Sequence, residues 1–381
     1  MVNVCLVAHF AYGAMKGGSD GSIGGVERQT SLMAKWLVAK GHKVSILTWS
    51  EGSDEDEIIN GVNIIKICRK DAGLPGLRFF TPRWTGLISA MKRADADVYY
   101  QNCGEYVTGQ VAMWCKANHK KFLYSLASDA DADVSLPVMK KWRERVLYRY
   151  GLNNADQIIA QTEQQRILLK NGFSLDSAVM PMPCPDKSES KSAQFSNEKF
   201  TVLWAARIHV CKRLELLLEV AAELPEVNFV VGGSPVMENE YYQMLFDKMS
   251  QLTNVSYLGM VAREEMPALY RASSLFCCTS EYEGYPNTFL EAWSHSLPIV
   301  STFDPDNLIK NKNLGISAHS KSELVDAIKV FHDDPELWKE RSVNARHYYV
   351  NNHTVDEVMK RFEILFTQLS TQLSTQLSET G

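Results

Sequence analysis

Two carboxylates separated by seven residues, Glu283 and Glu291, stand within residues 280–302, SEYEGYPNTFLEAWSHSLPIVST. Carboxylates near backbone amides accept hydrogen bonds from hydroxyl groups, which are most of what a sugar offers a protein. Upstream lie Arg207 and Lys212, with Cys211 between them. A forked guanidinium and a compact ammonium just past a strand suit the charge of a leaving diphosphate. Near the start, residues 13–25 hold six glycines and end in Gly24-Gly25. Glycines between a strand and a helix let backbone amides approach a pyrophosphate. A nicotinamide-binding domain, with Glu51 as its acid, is therefore one reading, although the tight G-x-G-x-x-G turn is absent. Asp129-Ala-Asp131 formally matches a D-x-D, whose acids could share a divalent cation. Each feature also has a plain structural reading: an acid opposing a helix dipole, a surface basic cluster, a flexible loop, solvated loop acids.

The elements around these residues alternate between strand and helix. Residues 272–279 are apolar and β-branched, and Pro298-Ile-Val-Ser-Thr follows as the next strand. Between them Pro286 suits the first position of a short helix. Helical spacing puts Asn287, Glu291 and Ser294 on one side and Phe289, Leu290, Trp293 and Leu297 on the other. That places free N–H groups at the carboxyl edge of a sheet, where open α/β sheets bind ligands and where phosphate is favoured. Residues 2–8, 41–48, 97–100, 122–126 and 156–160 read as strands, and 26–40 as a helix. Met180-Pro-Met-Pro-Cys-Pro is extended, and the Ser-rich residues 186–197 have the composition of a linker. Strand and helix alternation then restarts at Phe200. A helix is expected from Val355 to about residue 370, and 371–381 repeats T-Q-L-S as a low-complexity tail, frayed or disordered.

At 381 residues the chain is long enough for two α/β domains. Its net charge of -5 argues against general nucleic-acid binding. The charge is uneven, +3 over residues 1–190 and -8 over the remainder. Eight cysteines show no CxxC or metal-ligand spacing, as expected of reduced core residues, and the histidines form no catalytic or metal pattern. Residues 2–10 lack a basic lead, and no apolar run reaches the roughly 20 residues that span a bilayer. The expectation is a cytoplasmic chain without a signal peptide.

The string E-G-Y-P-N-T-F-L-E-A followed by S-L-P-I-V-S-T, together with Gly24-Gly25-Val-Glu-Arg and the Arg207/Lys212 pair, resembles retaining GT-B glycosyltransferases of glycosyltransferase family 4. Ser296 departs from the pattern, where the family usually carries Gly. The resemblance implies an α/β chain with two Rossmann-like α/β/α domains facing a central cleft. The first domain would span 1–185, the linker 186–197 and the nucleotide-sugar domain 198–354, with the helix at 355–370 crossing back to the first. It further implies sugar transfer, with retention, from a UDP- or GDP-linked donor to a hydroxyl on a glycan or lipid-linked acceptor, with no metal and no other cofactor. Donor-binding positions carried over are Gly24, Gly25, Arg207, Lys212, Met260, Tyr285, Pro286, Asn287, Thr288 and Glu291. Asp129 and Glu283 would act at the sugar itself, with Asp131 second to Asp129. Alternatives are a nucleotide-sugar epimerase of the same fold and a non-catalytic partner subunit, the latter opposed by the completeness of the set.

Basic and aromatic residues interleave twice in the first half, over residues 78–93 (Arg78, Phe79, Phe80, Arg83, Trp84, Lys92, Arg93) and 140–150 (Lys140, Lys141, Trp142, Arg143, Arg145). Such helices lie in membrane interfaces or receive anionic acceptors, or are ordinary solvated faces. Peripheral membrane contact and a role in envelope polysaccharide or glycolipid synthesis are the expectation here.

Overall fold

The computed structural model describes residues 1–17, 24–188, 195, 200–235, 239–281, 283 and 285–380, with side chains up to residue 375. It forms two compact units, 1–183 with 355–381, and 184–354. Residues 189–194, 196 and 197 of the expected linker lie outside the described residues, as do Gly18 and Gly21 of the glycine-rich loop.

Strands of the first unit are β1 (Asn3–Val7), β2 (Lys43–Thr48), β3 (Glu57–Ile59), β4 (Val62–Lys66), β5 (Val98–Asn102), β6 (Lys121–Ser125), β7 (Gln157–Ala160) and β8 (Ala178–Val179). They pair in the order β3-β4-β2-β1-β5-β6-β7-β8, all parallel except β3 on β4. Both faces are covered, so the strands are apolar on both sides. Cys5 and Val7 enter one core with Leu87, Met91, Val111, Tyr148 and Leu169; Val4 and Leu6 enter the other with Met33, Leu37, Val358, Phe362 and Phe366. Helix Trp142–Asn153 is drawn against helix Val107–Ala117 by two glycines. A Cβ on Gly109 would lie 2.1 Å from the Leu147 carbonyl oxygen, and one on Gly151 2.7 Å from the Thr108 carbonyl carbon.

The second unit has strands β9 (Thr201–Ala205), β10 (Asn228–Gly232), β11 (Val255–Gly259), β12 (Leu275–Cys278), β13 (Ile299–Ser301) and β14 (Gly315–Ser317). Their order is β11-β10-β9-β12-β13-β14, all parallel. The order reverses between β9 and β12, which makes their carboxyl ends the place for a ligand. In the first sheet the corresponding reversal falls between β1 and β5.

Of the two expectations for the C-terminal repeat, a frayed helix or disorder, the structure has helix. Helix Val355–Thr380 runs through it and belongs to the first unit. The T-Q-L-S period of four matches the spacing of one helix face, so Leu369 and Leu373 are buried at 4% and 5% exposure. Leu373→Ser is expected to destabilise the first unit by about 1–3 kcal/mol, while Gln372→Ser on the exposed side changes little. Thermal melts of the two variants check this; equal melting temperatures would mean that the repeat carries no packing.

Candidate donor site

The carboxyl ends of β9 and β12 are tied together before any ligand is considered. Thr279 is completely buried; its hydroxyl donates to the Lys212 carbonyl (2.7 Å) and accepts from Trp204 Nε1 (3.0 Å). Arg213 Nε donates to the Thr279 carbonyl (2.9 Å), and the Glu281 amide to the Cys211 carbonyl (2.8 Å). Arg213 sits at φ +47, the left-handed turn that ends residues 210–212 and starts helix Leu214–Glu223. As a result Lys212 Nζ lies 2.5 Å from Glu283 Oε1, which also accepts from Ser280 Oγ at 2.6 Å. Both side chains are about one-fifth exposed. Arg207 lies two residues past β9 and is exposed. β10 reaches the same edge because Gly233 has no side chain: a Cβ there would fall 1.8 Å from the Ala206 carbonyl oxygen.

Glu291 sits in helix Asn287–Ser294, whose Phe289, Leu290 and Trp293 are fully buried, as the periodicity indicated. Its two oxygens are held separately, Oε2 by Tyr270 hydroxyl (2.9 Å) and Oε1 by Arg263 Nη2 (3.3 Å). Neither holder stood out in the sequence; Tyr270 is the buried aromatic of the short helix Met266–Ala272 and Arg263 a cation three residues before it, and neither carries a motif of its own. Burial first, and the Glu291 charge next, push the Tyr270 phenol well up, which keeps it a donor. Ser294 belongs to the buried side instead of the polar stripe; its hydroxyl donates to the Glu291 carbonyl at 2.7 Å.

Several expected residues sit differently from their first reading. Pro286 precedes the helix as its cap residue and has no N–H, and the Phe289 amide already bonds the Pro286 carbonyl at 3.0 Å. Asn287 and Thr288 are left as the amides for an anion. Tyr285 points inward, its hydroxyl 3.3 Å from the buried His353 Nε2. Any ligand contact there is through backbone. Met260 is 77% exposed at the end of β11.

In the first unit, Gly24 caps and Gly25 opens the 15-residue helix Gly25–Ala39 after β1. Asp129 begins the short helix Asp129–Ala132 beyond β6. Asp131, the second candidate, is committed to structure: its Oδ2 accepts from the amides of Ala127 (2.7 Å) and Ser128 (3.1 Å). Burial pushes its carboxyl above the usual carboxylate range, and those amides offset this only in part. Among the described residues no group of three His, Cys, Asp or Glu side chains is arranged to hold a metal ion. Arg93 also leaves its expected patch, since its guanidinium is bonded to Asp56 (2.9 Å) and the Lys66 carbonyl (2.6 Å).

Residues 186–348 match the family model described as glycosyl transferases group 1, and residues 24–180 the glycosyl transferase 4-like domain. An uncharacterized glycosyltransferase of Haemophilus influenzae is 22% identical over 86% of this chain and 92% of its own. The GtfA subunit of a UDP-N-acetylglucosamine–peptide N-acetylglucosaminyltransferase from Streptococcus parasanguinis is 26% identical over 40% of this chain and 32% of its own. An alpha-galactosylglucosyldiacylglycerol synthase from Streptococcus pneumoniae is 27% identical over 42% of this chain and 44% of its own. The match thus spans about a third of the GtfA subunit and under half of the synthase. Among solved structures, sucrose-phosphate synthase from Thermosynechococcus elongatus superposes with a TM-score of 0.75 at 16% identity, covering 97% of this chain and 99% of that one. HepE of Anabaena, solved with UDP and glucose, gives 0.69 at 15% identity, covering 99% and 100%. The chain belongs to the GT-B, family 4-like glycosyltransferases, and its two parallel α/β units are the Rossmann-like domains of that fold. A nicotinamide oxidoreductase is set aside with that assignment.

The departure at Ser296 has a visible cost. Ser296 is buried at φ +65, a left-handed conformation that glycine takes without strain. Ser296→Gly is expected to stabilise the second unit by about 0.5–1 kcal/mol. Relief of roughly 1–2 kcal/mol of strain is partly offset by the freer unfolded chain. Chemical denaturation checks this, and a lower midpoint would show that the contacts of the serine outweigh the strain.

Proposed function

We propose that this chain transfers a sugar, with retention, from a nucleoside-diphosphate sugar to a hydroxyl of an envelope glycan or lipid-linked acceptor. The observation that carries the reading is the Lys212–Glu283 pair at the reversal of the second sheet, with Arg207 two residues past the end of β9 and Glu291 fixed by Tyr270 and Arg263. Arg207, Lys212 and the Asn287 and Thr288 amides stabilise the charge that builds on the departing diphosphate. Glu283 takes donor-sugar hydroxyls and Glu291 the ribose hydroxyls. Asp129 answers positive charge at the reacting carbon, and Gly24 and Gly25 add amides toward the diphosphate. With two cations assigned to the leaving group, the transfer runs without a divalent metal.

Arg207→Ala and Lys212→Ala are each expected to cost about 2–4 kcal/mol in kcat/KM. The assay is product formation with UDP- and GDP-sugars chosen by a thermal-shift screen, with an excess-EDTA arm. Wild-type turnover in both variants removes them from the site. A loss in EDTA that Mn²⁺ restores overturns the metal-free reading.

The acceptor side of the proposal rests on an exposed patch. Leu74, Leu77 and Phe80 on one segment and Val138, Trp142 and Val146 on the other are 55–77% exposed. The segments adjoin, with the Arg143 guanidinium 4.6 Å from the Phe79 ring centre. Lys140, Lys141 and Arg145 are exposed among them. Among the described residues no helix is long and apolar enough to cross a membrane. The patch instead fits peripheral contact with an anionic leaflet, from the cytoplasmic side. Each cation near such a surface contributes roughly 1 kcal/mol, screened by salt. Sedimentation with anionic liposomes is expected at low salt, and should weaken at high salt and in a Lys140→Ser, Lys141→Ser, Arg145→Ser variant. Wild-type protein that stays in the supernatant at low salt would point to a soluble acceptor.

A further inference from the structure

The reversal point of the first sheet holds a cavity of about 310 Å³. That is at the lower end of small-molecule pockets, about 300–1,000 Å³, and suits a single sugar ring. Its walls come from the residues following β1, β2, β4 and β5, among them His9, Trp49, Lys70 and Glu105, with Arg83 and Val138 from the neighbouring segments.

The charges in this cavity are unevenly matched. Glu105 lies 3.5 Å from His9 Nδ1, and Glu144 3.7 Å from Lys141 Nζ, so each acid has a basic neighbour. Neither Lys70 nor Arg83 has a carboxylate at ion-pair distance among the described residues. Lys70 Nζ lies over the Phe10 ring at 4.8 Å. Arg83 donates from Nη2 to the Lys70 carbonyl at 2.7 Å and stands 5.8 Å from the Trp49 ring centre. Its Nε is enclosed and has no hydrogen-bond partner. Trp49 is itself fixed by stacking on His9, with ring centres 4.3 Å apart and planes at 11°. The guanidinium, which also bonds the Tyr106 side chain, is held in place, and its terminal nitrogens, not the enclosed Nε, are the donors a carboxylate or phosphate would meet. Phe10 and Val138 supply the apolar surface beside it, 42% and 69% exposed.

We propose that this cavity selects an acceptor carrying an anionic group, a carboxylate or a phosphate on the sugar that receives the transfer, with Lys70 and Arg83 gripping the charge. The inference rests on the glycosyltransferase reading above and names the acceptor class within it. No bond changes at this group; the grip positions a hydroxyl and excludes neutral competitors.

The test is equilibrium binding, by calorimetry or ligand-observed NMR, of three probes to the intact protein: octyl glucoside, octyl glucuronide and the 6-phosphate of octyl glucoside, all below micelle concentration. Wild type is expected to bind at least one charged probe tenfold or more tightly than the neutral one. The better of the two identifies carboxylate or phosphate as the source. The preference should fall to within about twofold in a Lys70→Gln, Arg83→Gln variant and survive in part in Arg83→Lys. Binding of UDP or GDP is followed in the same samples, as a measure of folding and of the donor site. Equal binding of charged and neutral probes by wild type, or a preference that persists in the double variant, overturns the proposal. Loss of nucleotide binding from wild type would instead strike at the donor reading, so the two failures are distinguishable.

Discussion

The buried Thr279 hydroxyl is the tie on which the donor end of the second unit depends. It receives Trp204 Nε1 from inside the sheet and donates to the Lys212 carbonyl outside it. One side chain thereby fixes the β9 loop to the β12 loop, and the cation of the first meets the acid of the second. Lys212 is thus partly neutralised by Glu283 in the free protein. A diphosphate sugar would divide that pair between its own groups, phosphate to the ammonium and hydroxyls to the carboxylate. Both charges are already oriented, and neither has to be drawn from bulk water, so little reorganisation accompanies binding.

The same topology works twice with different chemistry. Parallel strands β1 and β5 diverge in their connections as β9 and β12 do, and each divergence opens a gap at the carboxyl edge. In the second unit the gap is filled by a tight cation–acid pair. In the first, His9 Nδ1 and Glu105 stand 3.5 Å apart. Burial pushes the Glu105 carboxyl up, but His9 beside it more than compensates and holds it below the ordinary range. Lys70 and Arg83 remain as surplus positive charge. The difference in charge between the chain halves therefore has a local expression at the edge of the first sheet.

Much of this was legible because it is written in short-range pattern. The helix at 287–294, the strands on either side of it and the two acids follow from spacing alone, and much of the alternation of strand and helix follows from apolar runs and their breaks, although β3, β4 and β8 went unread. What escaped is long-range. Lys212 and Glu283 meet across 71 positions, and Tyr270 reaches Glu291 across 21, with no local signal that either pair would meet. Tyr285 read as a ligand contact because of its neighbours, yet it turns to His353, 68 positions on. Arg93 read as part of a basic patch until Asp56, 37 positions earlier, took its charge. The terminal repeat misled for the opposite reason. Its polar letters look like low complexity, while Leu369 and Leu373, four positions apart, are buried on one face of the helix.

The close approach of two helices links the surface patch to the cavity. Gly109 and Gly151 let helix Trp142–Asn153 settle onto helix Val107–Ala117 with backbone nearly touching backbone. From that seat the first turns of Trp142–Asn153 present Trp142 and Val146 outward, while Glu144 lines the cavity. Val138, just before the helix, is exposed on the patch and is also a cavity wall. Apolar surface and charged recess therefore share one short stretch of chain, residues 138–146. On the proposed reading, a lipid-linked acceptor rests its hydrocarbon part on Val138 and its neighbours while its polar head enters beside Arg83. A side chain at position 109 would displace both surfaces together, because the steric contact that seats one seats the other.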